Sequence, residues 1–243
     1  MTNFAKTLAG STRALAAAAA LAVTTTAALA QAVPVTENAQ RLIDRDDTVF
    51  MMLDHQAGLM QIVEDIDQTQ LRANVSAKAK VAEFFDIPVI ASTSVPEGPN
   101  GPLIPEVVDN APSATVIDRA GPINAWDDAR IREAVEATGR NTIVISGILT
   151  SVCVAFPAID MAAEGYNVIA VIDASGDYSD LASQTTIARL QQAGVTVEST
   201  FSVLSQVHDT WDEENTAIMA EAYSDVAPAY ASVLQSFFAQ PSN

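Results

Sequence analysis

Residues 145–160 read ISGILTSVCVAFPAID, and the fold is decided there. The apolar run Thr142 to Ser146 predicts a strand. Gly147 stops it, and a helix over Ser151 to Glu164 follows after a tight turn, with Gly165 as its expected stop. Working outward, the same alternation recurs. TVFMML, Thr48 to Leu53, predicts a buried strand that opens onto Asp54 and a turn at Gly58. Leu71, Val75, Ala79, Ala82 and Phe85 have helical spacing across Gln68 to Phe85. Strands are expected at Pro88 to Ala91, Ala114 to Ile117, Asn167 to Ile172 and Val195 to Glu198. Helices are expected at Asp127 to Thr138, Leu181 to Ala193 and in the C-terminal segment with Tyr223 to Phe238. Strands separated by helices cannot be joined as hairpins. The expected fold class is therefore α/β, three layers α/β/α around a six-stranded parallel sheet.

The first thirty residues have a different character. Lys6 and Arg13 precede the apolar run ALAAAAALAV, and Ala28-Leu29-Ala30 forms a small-x-small cleavage site. The stretch is short and Ala-rich for a membrane span, which needs roughly 20 apolar residues. It predicts a signal peptide at 1–30, a linker at 31–43, and one domain over 44–243 of an exported, periplasmic or secreted protein. The chain has 243 residues, a formal net charge of −18 and 49% hydrophobic residues. That composition supports a sizeable core. The charge argues against nucleic acid as a partner, and against an anionic membrane surface once the signal is removed.

In parallel sheets, ligands bind beyond the carboxyl ends of the strands. Asp54 lies at the end of the first strand, Arg119 just past the third, and Cys153 in the first helical turn after the fourth. Three chemically capable side chains thus converge on one rim. A thiol at a helix N-terminus meets the positive end of the dipole, which favours the thiolate. Each residue also has a plain structural alternative. The lone cysteine could be inert core, Asp54 a loop cap, and Arg119 a surface ion-pair partner. Gln56 could line the site mouth or face solvent. Asn124 and Trp126 lie near Arg119 and could shape the pocket, or Trp126 could belong to the core or a subunit contact. Pro157 withholds a hydrogen bond from the Cys153 carbonyl, so a kink is expected.

The run G-x-x-T-x-x-C-V at Gly147 to Val154 resembles the signature of the isochorismatase-like cysteine hydrolases, and LDHQAGL at Leu53 to Leu59 resembles their first-strand motif. EGPNGPLIPE (97–106), RAGPINAWDD (119–128), DASG (173–176) and H-x-x-W (208–211) are similar to the YcaC-like branch. The resemblance runs from about Asp44 to the end of the chain. It implies a catalytic triad of Asp54 as general base, Arg119 as charge and orienter, and Cys153 as nucleophile. It also implies a cis peptide between Ile148 and Leu149, an oxyanion hole made by the Leu149 and Cys153 amides, and a homo-oligomer, an octamer in this branch. The substrate it implies is a small amide or related carbonyl compound, cleaved through a cysteine thioester. The alternative is a catalytically silent oligomeric or small-molecule-binding protein on the same fold. Metal-binding relatives carry D-x-H with a further histidine. The two histidines here, His55 and His208, form no such motif, so no metal and no cofactor are expected. Ser151 departs from the many relatives that have an acidic residue at that place. That departure is expected to remove a negative charge near the thiol.

Overall fold

The strand Thr48–Leu53 (β1) is buried along its whole length and forms the centre of the protein. The computed structural model describes residues 43–211 and 214–239, all within one unit spanning Asn38–Asn243. The expected signal at 1–30 and all but the last residue of the expected linker lie outside the described residues. β1 pairs in parallel with Val89–Ser94 (β2) on one side and Thr142–Gly147 (β4) on the other. Thr115–Arg119 (β3), Asn167–Val171 (β5) and Thr196–Glu198 (β6) complete a six-stranded sheet in the order β3-β2-β1-β4-β5-β6. Chain progression reverses between β1 and β4, which makes their carboxyl ends the topological switch point.

Alternation along β1 divides the core. Phe50 and Met52 enter one apolar cluster, and Val49, Met51 and Leu53 enter the other. Gln68–Phe84 (α1), Thr200–His208 (α6) and Thr216–Val226 (α7) cover the first face, joined by the short Pro105–Val108 (α2). Ala129–Ala137 (α3), Ala155–Ala163 (α4) and Asp180–Gln192 (α5) cover the second. Asp67, Asp128, Ser179 and Ser199 cap α1, α3, α5 and α6 with side-chain acceptors. The expected C-terminal helix is in fact two, α7 and Pro228–Phe238 (α8), because Pro228 cannot continue the ladder of α7. α8 buries none of its residues, and Val233, Phe237 and Phe238 are exposed.

One element of the core escapes apolar patterning. Lys78 projects from α1 under the sheet and is fully buried. Its ammonium donates to Ser146 Oγ at 2.8 Å and to the carbonyl of Val144 at 3.2 Å. Burial depresses its pKa well below the ordinary lysine value, against a smaller opposing pull from Asp173. Below about pH 10.4 the unfolded chain therefore binds a proton that the folded chain resists, and stability rises with pH across that window. Lys78→Met is expected to add about 1–2 kcal/mol at pH 7, an advantage that shrinks toward pH 10. Urea unfolding of both proteins at the two pH values checks this, and a variant less stable at pH 7 refutes it.

Candidate active site

The chain turns sharply at Asp54, which adopts φ 57°, a left-handed conformation that aspartate tolerates better than most residues. The Asp54 amide is held by the Ser92 carbonyl at 2.9 Å, and the Ser92 hydroxyl donates to Asp54 Oδ1 at 2.9 Å. Arg119, expected just past β3, is its last residue. Its Nη2 donates to Asp54 Oδ2 in an ion pair with both side chains fully buried. Arg119 is thus no surface partner: two isolated charges could not be buried there without each other. Its Nη1 donates to the carbonyls of Pro122 at 2.6 Å and Ile123 at 3.2 Å, which curls the following loop over the guanidinium.

Beyond β4 the single expected helix is two segments. Thr150–Val154 forms a π-type turn in which Val154 N–H reaches back five residues to the Leu149 carbonyl, and regular α4 begins at Ala155. Pro157 supplies the reason, since it offers no N–H to the Cys153 carbonyl and the regular ladder cannot start there. The Ile148–Leu149 peptide is cis. A Cβ on Gly147 would overlap the Leu53 carbonyl oxygen, so only glycine lets this turn sit against the end of β1.

Cys153 lies on that turn, 8% exposed, with Asp54 in charge and hydrogen-bond contact with its sulfur and the Leu149 N–H directed at it. The expectation of a dipole-activated thiolate is overturned. Burial first, and then the Asp54 carboxylate, push the thiol's pKa up, and the Leu149 N–H and Arg119 pull it down by less. A helix terminus is worth about 0.3–1 kcal/mol, which loses to desolvation plus a full adjacent charge. In the resting site the proton belongs to sulfur.

Ser151 also differs from expectation. Its position does not leave the turn without a negative charge, because Asp177 accepts from the Ser151 amide at 2.7 Å and from its hydroxyl at 3.1 Å.

The three suggested pocket residues have other work. Gln56 is fully buried, neither at a mouth nor in solvent. Its Oε1 accepts from the Ser94 amide at 2.7 Å, and its amide nitrogen donates to Gly101 O, which ties the end of β2 to the 98–103 loop. Trp126 is core, edge-on to Tyr166 and under the Arg132 guanidinium. Asn124 accepts from the Trp126 amide at 3.0 Å and donates to Asp160 at 2.7 Å, so it fixes the loop that covers Arg119. His208 packs edge-on against Trp211 and lies 3.1 Å from the Tyr223 hydroxyl. Among the described residues no group of three or more His, Cys, Asp or Glu side chains is placed to hold a metal ion.

The isochorismatase domain model matches residues 48–202. The chain belongs to the isochorismatase family of hydrolases. The probable hydrolase YcaC of Escherichia coli K12 is 38% identical over 195 residues, 80% of this chain and 93% of the relative. The structure of YcaC from Pseudomonas aeruginosa with hexane-2,5-diol and covalent acrylamide is 39% identical with TM-score 0.78, covering 81% of this chain and 96% of that one. The E. coli YcaC structure, described as an octameric hydrolase of unknown specificity, is 38% identical with TM-score 0.77 over the same shares. Family membership and sheet topology therefore agree with the resemblance carried by the sequence motifs.

His55, next to Asp54, was not singled out for a structural role by its sequence. Its Nε2–H donates to the Ala174 carbonyl at 2.9 Å, a tautomer required because a carbonyl only accepts. Burial, the largest cause, pushes its pKa down to about 4. Below the ordinary value near 6.5 the unfolded chain takes up a proton that the folded site refuses. The stability present above pH 6.5 is thus lost as pH falls toward 4, by about 3 kcal/mol. His55→Gln, which keeps a donor for Ala174, is expected to flatten the fall in urea midpoint between pH 7 and pH 4.5. An unchanged slope refutes the assignment.

Proposed function

We propose that this protein is a cysteine-dependent hydrolase of a small, uncharged amide or related carbonyl compound. The observation that carries this reading is one buried carboxylate, Asp54, shared between the Cys153 thiol and the Arg119 guanidinium at the switch point of the sheet. Substrate binding expels water and brings a carbonyl carbon to the sulfur. Asp54 takes the thiol proton as the S–C bond forms, and the amides of Leu149 and Cys153 hold the oxyanion. The C–N bond then breaks and Asp54 gives its proton to the leaving amine. Water attacks the thioester with Asp54 again as base, the acid departs, and the proton returns to sulfur. Arg119 stays protonated throughout and keeps the carboxylate oriented.

The charge pattern supports an uncharged substrate. Arg119, the cation beside the sulfur, is already committed to Asp54. A carboxylate substrate would gain no free counter-charge from it.

Acrylamide, covalently bound in the Pseudomonas relative, is a suitable first probe. A panel of small neutral amides should show turnover that falls at least about a thousandfold in Cys153→Ala and in Asp54→Asn, with an acyl adduct on Cys153 trapped by mass spectrometry. Turnover that survives Cys153→Ala overturns the mechanism, and a folded protein silent toward the whole panel favours the binding-protein alternative.

Assembly and location complete the proposal. α8, with Val233, Phe237 and Phe238 exposed, is offered as a subunit contact, in keeping with the octameric description of the E. coli relative. Light scattering should give the mass of an oligomer, an octamer by analogy; a monomer at micromolar concentration removes it. We propose export with cleavage after Ala30, for which the recovered protein should begin at Gln31 by N-terminal sequencing.

A further inference from the structure

The turn that carries Cys153 has no side-chain cap of its own. The Thr150 amide is taken by the Gly176 carbonyl at 2.9 Å and the Val152 amide by the Leu149 carbonyl at 3.2 Å, which leaves the Ser151 amide between them in need of an acceptor. Asp177, from the loop after β5, fills that role across 26 residues of chain. Its carboxylate is fully buried and accepts from three donors: the Ser151 amide, the Ser151 hydroxyl and the Tyr178 amide at 2.9 Å. The loop is itself clamped. Asp177 N–H donates to Asp65 Oδ1 at 2.7 Å, its carbonyl accepts from the Glu64 amide at 2.9 Å, and the Ser183 hydroxyl donates to the other oxygen of Asp65.

We propose that Asp177 is a positioning residue that caps the Cys153 turn and adds, from the neighbouring loop, a second fixed negative charge that joins burial and Asp54 in holding the proton on sulfur until substrate binds. This rests on the assignment of Cys153 as nucleophile. A helix N-terminus otherwise favours an anion on the nearby sulfur. A carboxylate bonded to the Ser151 amide of the turn opposes that effect, so the proton goes to Asp54 only when a carbonyl is in place. The charged and titratable groups that face the sulfur are Asp54 and Arg119 from the ends of β1 and β3, with Asp177 behind Ser151. Asp65 lies behind Asp177, and His55 beside Asp54.

Cys153 is the sole cysteine, so iodoacetamide alkylation followed by mass spectrometry reports this thiol alone and needs no substrate. Asp177→Asn keeps the size and loses the charge. Between pH 7 and 9.5 it should alkylate about three- to tenfold faster than the wild type, a shift of about half to one pH unit in the profile. The swapped variant, Ser151→Asp with Asp177→Ser, moves the acid into the turn and should fall within about twofold of the wild type. An Asp177→Asn profile that superimposes on the wild type with the melting temperature unchanged overturns the proposal. If Asp177→Asn does not fold, the swap decides: a wild-type profile supports the proposal and any other overturns it. Failure of the nucleophile assignment has a separate signature, hydrolysis that survives Cys153→Ala, and that outcome leaves the alkylation profiles readable.

Discussion

The buried ion pair between Asp54 and Arg119 is the constraint from which the rest of the site follows. β1 and β3 are not neighbours in the sheet; β2 runs between them. The pair therefore reaches across a strand, and Ser92 of that strand adds its hydroxyl to the same carboxylate. Three strand ends are fixed in one arrangement of charge. Removing one member would leave the other buried and uncompensated, at a cost of about 3–5 kcal/mol. The pair also explains the loop after β3, whose Pro122 and Ile123 carbonyls accept the remaining Nη1 donors. The 119–128 segment is thus shaped by what the guanidinium requires.

The turn on the other side of the switch point solves a different problem. Gly147 brings β4 against the Leu53 carbonyl, and the Ile148 amide then donates to that carbonyl at 3.1 Å. Pro157 withholds a hydrogen bond from Cys153 and so shapes the start of the helix. The result places a sulfur over the carboxylate of a neighbouring strand. That contact decides the electrostatics: a neighbouring full charge in a dry site outweighs a terminal half-charge.

Much of this was legible in the residues and some was not, for definite reasons. The bounds of β1 follow from an unbroken apolar run that ends in an acid. The switch-point rule placed Asp54, Arg119 and Cys153 on one rim before any coordinate did. β2 and β3 extend to Ser94 and Arg119, beyond the expected Ala91 and Ile117, because their last residues are polar and satisfied by side chains of the site itself. Lys78 reads as a solvated helix residue in any apolar pattern, and only the carbonyls of the sheet reveal its burial. The Ser151–Asp177 contact joins positions 26 apart through two short polar side chains, and no periodicity encodes such a pairing. Gln56 was open between mouth and solvent because its partners, Ser94 at the end of β2 and Gly101 in the following loop, lie 38 and 45 residues away, beyond any local pattern.

A thiol that keeps its proton at rest is also a protected one. Thiolates, not thiols, react with electrophiles and oxidants, and oxidation beyond the sulfenic stage is essentially irreversible. A single free cysteine with its sulfur largely enclosed, its proton held by burial and by the neighbouring Asp54 carboxylate, is chemically quiet toward both. Under the proposed mechanism the same carboxylate that suppresses ionisation becomes the base when a carbonyl arrives, because the forming S–C bond, not the solvent, then takes up the sulfur's electron pair. Reactivity is thereby made conditional on occupancy. Under the proposed export, where no reducing pool restores an oxidised sulfur, that condition is what would allow a lone nucleophilic cysteine to persist.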